Sequence, residues 1–159
     1  MKTRITRDEM CMLSAHVASH RGTCNRLHVG ALLTLDSRPI SWGYNGTPAG
    51  QPHCGPECNS STPCTKTLHA ERNALHWASK HLGAIPPGCT LYVTDSPCLD
   101  CAKLIVLFDV KRVVYDREYR IRDGINHLTE NGVEVVQCQV DLVISASFAH
   151  SLITPASEE

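Results

Sequence analysis

The chain has 159 residues, 42% of them hydrophobic and 19% charged, with 15 Lys and Arg residues against 16 Asp and Glu residues. A chain of this length buries roughly 70% of its unfolded surface, so one domain needs no disulfide bonds, and the composition argues against disorder. The net charge of −1 provides no general field for binding nucleic acid. No apolar run reaches the ~18 residues of a membrane span, and residues 1–6 lack a signal-peptide core. We therefore expect a cytoplasmic protein with no membrane or polynucleotide partner.

Cysteine and histidine are unusually frequent, with nine residues of each. Disulfide bonds are rare in a reducing compartment, and an odd number of cysteines cannot all pair with one another. The composition therefore indicates metal binding.

The first predicted helix covers residues 8–20. Thr6 and Glu9 fit a capping box, which marks a helix start. The large apolar residues follow at helical spacing: Met10, Leu13 and Val17. Two predicted strands come next, over residues 28–35 and 40–44, and the turn residues 36–39 between them are typical of an antiparallel hairpin.

Residues 45–67 are rich in Gly, Pro, Ser, Thr and Cys and have no regular periodicity. A loop of this length inside a compact domain is usually functional or held by another group. The following helix, over residues 69–82, has apolar residues at helical spacing, and its inward positions are Glu71, Ala74, Leu75, Ala78 and Leu82. One inward position is therefore an acid.

The second half of the chain alternates strands with helices. We predict strands over residues 90–94, 112–115 and 133–136, and helices over residues 98–108 and 121–131. A helix between the last two strands makes them parallel, which gives an α/β fold with a five-stranded mixed sheet. Residues 140–153 fit either strand or helix, and we favour helix. We expect one domain over residues 1–153 and a flexible tail over 154–159.

Two short motifs carry the chemistry: His69-Ala70-Glu71, and Pro97-Cys98-Leu99-Asp100-Cys101, which begins 28 residues later. Together they match the zinc nucleobase-deaminase signature H-x-E followed by P-C-x-x-C. His69, Cys98 and Cys101 supply three ligands for tetrahedral zinc. The fourth position stays open for water, which is the mark of a catalytic site.

Helical geometry separates the ligands from the acid. Cys98 and Cys101 lie on the first turn of a helix, so both sulfurs can face one ion. Residues 69 and 71 are about 200° apart on an ideal helix, and their side chains converge only if the metal lies beyond the helix end. We therefore interpret Glu71 as the acid/base that moves protons during attack of zinc-activated water on an amino-bearing ring carbon. The predicted reaction is hydrolytic deamination.

Other interpretations of the same motifs remain open. Cys-x-x-Cys alone is more often half of a structural zinc site or a redox pair, and His-x-Glu alone carries little information. A zinc-stabilised binding module without catalysis would also use these ligands. The acid at position 71 favours an enzyme, because a purely structural site has no use for a carboxylate on the core face.

Over residues 5–137 the sequence resembles the deoxycytidylate (dCMP) deaminase family of the cytidine deaminase superfamily. The resemblance rests on CNRLHVGA over residues 24–31, GYNGTPAG over 43–50, HAERNA over 69–74 and SPCLDCAK over 96–103. It implies a three-layer α-β-α cytidine-deaminase-like fold, one catalytic zinc, and conversion of dCMP to dUMP and ammonia for thymidylate synthesis. The alternatives are deamination of dCTP or a 5-substituted dCMP, and, less favoured, of tRNA or another polynucleotide.

The resemblance also implies contacts with the substrate. Asn45 would contact the sugar, Arg26 and Tyr119 would lie near the 5′-phosphate, and Ala70 and Ser96 would line the site. Arg26 has independent support, because a guanidinium group forms paired hydrogen bonds with phosphate. One further arginine could assist: Arg117, Arg120 or Arg122. Members of the family are commonly hexamers regulated by dCTP and dTTP, and Gly46 lies in the loop where the effector would bind.

A second, structural zinc is predicted around the long loop, with ligands Cys24, Cys54, Cys58 and Cys64. Family members with similar loops can carry such an ion, and some use histidine, so His53 competes with Cys58. The alternative is that these thiols are free. The remaining cysteines lie in or beside periodic segments and are expected in the core: Cys11, Cys89 and Cys138.

Overall fold

The computed structural model describes residues 4–56, 58 and 64–141, which contain four helices and five strands. Its elements in chain order are α1 (Arg7–Ser19), β1 (Gly30–Leu35), β2 (Arg38–Tyr44), α2 (Ala70–Leu82), β3 (Thr90–Asp95), α3 (Leu99–Leu107), β4 (Arg112–Arg117), α4 (Asp123–Glu130) and β5 (Glu134–Gln137). The predicted helical preference of residues 140–153 and the predicted tail fall almost wholly outside the described residues. No helix among the described residues is long and apolar enough to cross a membrane.

The strands form one mixed sheet in the order β2-β1-β3-β4-β5. Strand β1 is antiparallel to both β2 and β3, whereas β3, β4 and β5 are parallel to one another. The predicted fold class, including the parallel last two strands, is therefore confirmed. The hairpin turn is shorter than the predicted residues 36–39: only Asp36 and Ser37 turn, with φ of 50° and 61°, and Pro39 joins the edge strand β2.

Helices cover both faces of the sheet, which confirms the three-layer α-β-α arrangement. Helices α2, α3 and α4 pack on one face through a large apolar cluster that includes Leu75, Ile105 and Leu128. Helix α1 packs on the other face through a smaller cluster that includes Met12 and Tyr92. The active-site motifs begin α2 and α3, so both lie on the same side of the sheet.

The predicted inward face of α2 needs correction at Leu82, and two of the apolar residues that indicated α1 are also exposed. Met10 and Val17 of α1 are 45% and 72% exposed, and Leu82 at the end of α2 is 52% exposed. The sheet-facing side of α1 holds Met12 and smaller apolar residues, together with the polar Asp8 and His16.

Partners on β4 explain why polar residues of α1 face the sheet. Arg112 forms two hydrogen bonds with Asp8, of 2.9 and 2.8 Å, and the Nε2 atom of His16 lies 2.6 Å from Oδ2 of Asp116. These pairs satisfy groups that would otherwise be costly to bury. The helix was therefore predicted correctly, but its orientation depends on partners about 100 residues away in the sequence.

A glycine on β2 allows α2 to approach the sheet. A Cβ atom added to Gly43 would lie 2.1 Å from the carbonyl oxygen of Ala70 and 2.6 Å from the backbone nitrogen of Ala74. Ser41 on the same face of the strand donates a 2.6 Å hydrogen bond to the carbonyl oxygen of Ala74. Because the backbone of β2 touches the first turn of α2, this contact fixes where the start of the helix, with His69 and Glu71, lies relative to the sheet.

Candidate active site

His69, Cys98 and Cys101 come together where α2 and α3 begin. Their ligand atoms all lie within 4.8 Å of one another. The Nδ1 atom of His69 is 3.5 Å from Sγ of Cys98 and 3.4 Å from Sγ of Cys101. For Zn–N of about 2.0 Å and Zn–S of about 2.3 Å, a tetrahedral ion separates N and S by roughly 3.5 Å. The three side chains therefore fit zinc.

The convergence of His69 and Glu71 has a local cause. His69 is the N-cap of α2, with extended backbone angles of φ −74° and ψ 154°, so the 200° separation of an ideal helix does not apply to it. Glu71 lies in the first turn and is only 4% exposed. The imidazole can thus face the two sulfurs while the carboxylate stays buried beside them.

Cys98 and Cys101 are positioned by the start of α3. Cys98 is the N-cap, also with extended backbone angles, and Cys101 lies three residues later in the first turn. The N-terminus of α4 packs directly against this point: a Cβ atom added to Gly124 would lie 1.9 Å from the carbonyl oxygen of Pro97. Gly124 therefore lets α4 support the backbone that carries the first sulfur. The sequence motifs did not indicate this residue.

Hydrogen bonding and burial shift the proton affinities of these groups. The thiol of Cys101 donates to Cys98, which lowers the pKa of Cys98 to about 3 and raises the pKa of Cys101. The contact with Cys98 raises the pKa of His69. Burial raises the pKa of Glu71 to about 7. A cation held by the neighbouring sulfurs would oppose the burial effect and favour the carboxylate.

A cavity of about 520 Å³ opens at the site and is lined by Glu71 and by two of the three candidate ligands, His69 and Cys98. All five residues predicted to contact the substrate line it: Arg26, Asn45, Ala70, Ser96 and Tyr119. The walls come from the chain before β1, the end of β2, the start of α2 and the carboxyl ends of β3 and β4. The carboxyl ends of parallel strands are a common place for ligand sites in α/β proteins.

Asn45 and Ser96 also organise the cavity wall. The side-chain amide of Asn45 donates a 2.6 Å hydrogen bond to the carbonyl oxygen of Leu27, and its oxygen accepts one of 2.8 Å from the backbone N–H of Val29. The hydroxyl of Ser96 accepts a 2.8 Å hydrogen bond from the backbone N–H of Tyr119. Each side chain thus holds a neighbouring segment that also lines the cavity.

Asp95 and Thr67 line the cavity although no sequence motif marked them, and so does Arg120, one of the three candidate assisting arginines. Asp95 ends β3 directly before Ser96, and this position at the end of a buried strand was a usable signal. Thr67 precedes His69 in an irregular loop, where no pattern marks it. The sequence does not distinguish which of the three arginines assists at the phosphate: Arg117, Arg120 or Arg122.

The structure distinguishes these three arginines by their contacts. Arg117 pairs with Asp95 at 2.8 Å, and Arg122 pairs with Glu118. Arg120 lines the cavity, and its guanidinium carbon lies 5.9 Å from the ring centre of Tyr119. Arg120 is thus the one of the three that both lines the cavity and contacts Tyr119.

Three of the four thiols predicted to hold a second zinc form a separate cluster. The sulfurs of Cys54, Cys58 and Cys64 all lie within 4.8 Å of one another. Cys24 is outside this group, and His53, the competing ligand, is exposed and also outside it. Burial, followed by the neighbouring thiols including Cys24, raises the pKa of Cys54 to about 11. Cys24 is thus close enough to the cluster to affect it.

None of the nine cysteines, all of which belong to the described part of the chain, forms a disulfide bond. Cys11 and Cys89 are buried in the two apolar clusters, and Cys138 packs against the cluster under α1. The structure therefore agrees with the core positions predicted for these three residues.

Comparison with known proteins identifies the family. Residues 5–117 match the model of the cytidine and deoxycytidylate deaminase zinc-binding region. The chain belongs to this family. The predicted membership is therefore confirmed, and so is zinc as the metal of the family.

Individual relatives of this deaminase agree with the match. The chain is 38% identical over 144 residues to ComE operon protein 2 of Bacillus subtilis, covering 89% of this chain and 76% of that protein. It is 36% identical over 128 residues to the deoxycytidylate deaminase of Mycobacterium phage D29, covering 70% and 94%. Its fold matches the dCMP deaminase of cyanophage S-TIM5 in complex with dCMP and dUMP, with a TM-score of 0.76, 39% identity and coverage of 87% and 99%.

The contact between Gly124 and Pro97 gives a test of how this deaminase supports its metal ligands. We expect Gly124→Ala to weaken zinc binding at least ~10-fold, because the added Cβ displaces the backbone that carries Cys98, and losing support around metal ligands typically costs 10–100-fold in affinity. Zinc affinity is measured by competition with a coloured chelator.

Gly132→Ala is the matched control for this test. Gly132 lies just beyond α4 in open space, with φ of 76°, so a Cβ atom there strains the backbone without touching a metal ligand. Its zinc affinity should stay within twofold of that of the unchanged chain. Equal zinc affinity in the two variants would contradict the supporting role of Gly124.

Proposed function

We propose that this chain is a dCMP deaminase, which hydrolyses dCMP to dUMP and ammonia and so supplies dUMP for thymidylate synthesis. The observation that carries the proposal is the buried Glu71 beside His69, Cys98 and Cys101, at the wall of a cavity that Arg26 also lines. The relative of known structure with bound dCMP and dUMP supports the same substrate.

In the proposed mechanism, His69, Cys98 and Cys101 hold the zinc ion. When bound, zinc supplies a Lewis acid that makes water nucleophilic near neutral pH. Glu71 accepts a proton from the attacking water and delivers it to the ring nitrogen beside the amino-bearing carbon. Glu71 then takes the remaining proton from the hydroxyl group now bonded to the ring carbon and passes it to the amino group, so that the C–N bond breaks, ammonia leaves and the carbonyl group forms. One carboxylate therefore serves as base and then as acid.

In the proposed binding mode the cytosine ring lies near Ala70 and Glu71, and the phosphate lies near the opposite wall of the cavity. The 5′-phosphate would meet Arg26 and the backbone region of Tyr119, with Arg120 alongside. The sugar would meet Asn45, which keeps one amide hydrogen beyond the bond to Leu27. Arginine suits this position because its planar group binds phosphate through two hydrogen bonds.

Replacing Glu71 by Gln tests whether the site is catalytic or only structural. We expect the fold and the zinc content to be retained and kcat for dCMP to fall at least ~100-fold, because glutamine cannot transfer the protons. Initial rates follow ammonia release, and zinc is measured by elemental analysis of the purified protein. A zinc-stabilised binding module predicts no catalysis in either form, and full activity of the variant would remove the role of Glu71.

Turnover of dCMP, deoxycytidine, dCTP and cytidine, compared side by side, tests the substrate. We expect the highest kcat/KM for dCMP. Arg26→Gln should lower kcat/KM for dCMP at least ~10-fold while changing deoxycytidine, which lacks the phosphate, by less than twofold. The same assay with a 5-substituted dCMP and with single-stranded nucleic acid tests the remaining alternatives, and a preference for dCTP or for either of these would replace the proposed substrate.

We also propose a second, structural zinc, held by Cys54, Cys58 and Cys64 with Cys24 as the fourth ligand. The grouping of three thiols supports this proposal, as does the electrostatic influence of Cys24 on Cys54. The hydroxyl of Thr67, which lies 3.4 Å from Sγ of Cys64, lowers the pKa of Cys64 to about 7. A thiol that loses its proton readily is a good zinc ligand.

Zinc content per chain tests the second site. We expect about two zinc ions in the unchanged chain, and about one in Cys58→Ser because a hydroxyl is a poor zinc ligand. Cys138→Ser is the control, since Cys138 packs against the cluster under α1, outside both candidate metal groups. A content of one ion in the unchanged chain would favour free thiols in the loop.

Several predictions about the whole protein remain part of this proposal. They are a cytoplasmic location, a single domain over residues 1–153, a hexameric assembly, and regulation by dCTP and dTTP near Gly46. The nine cysteines, none of which forms a disulfide bond, suit a reducing compartment. Gly46 exchanges backbone hydrogen bonds with Leu68, of 3.1 and 2.8 Å, so the proposed effector loop adjoins the segment that leads to His69.

A further inference from the structure

The segment over residues 24–29, here called the substrate arm, crosses from α1 to β1 without regular secondary structure. It supplies four residues of the cavity wall: Cys24, Arg26, Leu27 and Val29. An irregular segment must be held by specific contacts if its side chains are to meet a ligand in one place. The position of Arg26 therefore depends on the contacts of the arm that carries it.

Asn45 fixes the substrate arm on both sides of Asn25 and Arg26. Its side chain bonds to the carbonyl oxygen of Leu27 and to the backbone N–H of Val29, and its backbone carbonyl oxygen accepts a 3.0 Å hydrogen bond from the backbone N–H of Thr23. These contacts fix the arm before residue 24 and after residue 26. Residues 24–26 lie between these two points.

Asn25 ties this part of the arm to the cysteine loop. Its Nδ2 atom donates to the carbonyl oxygen of Gly55 at 2.7 Å and lies 3.3 Å from the carbonyl oxygen of Cys54. Asn25 is exposed and is not part of the cavity wall, so it contacts the loop and not the ligand space. Any effect of Asn25 on a ligand must therefore pass through its neighbours in the arm.

The carbonyl groups that accept the hydrogen bonds from Asn25 lie in the loop that carries the thiol cluster. Gly55 follows Cys54 directly, and its carbonyl oxygen also accepts a 3.0 Å hydrogen bond from the backbone N–H of Cys58. Because the sulfurs of Cys54 and Cys58 lie in one group with Cys64, the positions of these carbonyl groups depend on how that group is held together.

We propose that the cluster of Cys54, Cys58 and Cys64 positions Arg26 through Asn25, so that an intact cluster sets the affinity for the phosphate end of the nucleotide without affecting the chemical step. Asn25 is then a positioning residue, and the kinetic part of this inference rests on the proposed function. Removing the Asn25 side chain should raise KM and leave kcat unchanged, since Glu71 and the three candidate ligands of the catalytic zinc lie on other elements.

Four chains test the inference: the unchanged protein, Asn25→Ala, Cys58→Ser and the double variant. We expect each single variant to raise KM for dCMP about fivefold, the scale of one lost hydrogen bond, with kcat within twofold. KM for deoxycytidine should change by less than twofold in each. The double variant should be no worse than either single variant, because both changes break the same connection.

Asn131→Ala is the matched control. Asn131 is an exposed asparagine whose Nδ2 donates a 2.8 Å hydrogen bond to the carbonyl oxygen of His127 at the end of α4, outside the cavity wall. The same type of bond is lost there, and KM for dCMP should stay unchanged. A rise in KM equal to that of Asn25→Ala would show a general effect of the substitution and overturn the inference.

Hydrogen exchange separates this inference from the proposed function, because it needs no substrate. The backbone amides of residues 26–29 should exchange at least threefold faster in Asn25→Ala and in Cys58→Ser than in the unchanged chain. Unchanged exchange in Asn25→Ala overturns the inference even if dCMP is the substrate. Faster exchange supports it even if dCMP is not turned over, and if Cys58→Ser does not fold, faster exchange at residues 54–58 in Asn25→Ala is the reciprocal test.

Discussion

The active site depends on the meeting of two helix starts on one face of the sheet. His69 caps α2 and Cys98 caps α3, both with extended backbone angles, and the imidazole nitrogen lies 3.4–3.5 Å from the two sulfurs. Two close backbone approaches set this arrangement, at Gly43 for α2 and at Gly124 for α3. A side chain at either glycine would separate backbones that carry the reacting groups, so the metal geometry is a consequence of how the helices pack.

The parts of this arrangement that the sequence predicted are those with local signals. The motifs H-x-E and P-C-x-x-C identified the candidate ligands, and the helix between the last two strands predicted their parallel pairing, as observed. The spacing of Met10, Leu13 and Val17 indicated the helix α1 but not which face packs on the sheet, because the deciding contacts join Asp8 to Arg112 and His16 to Asp116, far apart in the chain. Apolar spacing does not report such partners, and Met10 and Val17 are exposed.

The residues at the cavity also divide into those that the sequence indicates and those that it does not. The family resemblance supplied Arg26, Asn45, Ala70, Ser96 and Tyr119, and the structure brings all five to one cavity. Gly124 and Asn25 escaped assignment because each acts through a backbone carbonyl on another segment, Pro97 in one case and Gly55 in the other. A carbonyl group has no residue identity, so no motif records the contact. Loops that bind a ligand are therefore harder to predict than the helices that carry the metal ligands.

The electrostatics join the metal ligands and the acid into one unit. Burial is the main cause that raises the pKa of Glu71 to about 7, so its carboxyl group is partly protonated near neutral pH. The sulfurs of Cys98 and Cys101 share a proton when they face only each other, which is why their pKa values move in opposite directions. A divalent cation held between the two sulfurs would favour loss of that proton and, by its charge, would also favour the carboxylate form of Glu71. The ion that would activate the water would therefore also favour the basic form of Glu71, which couples the metal ligands to the acid.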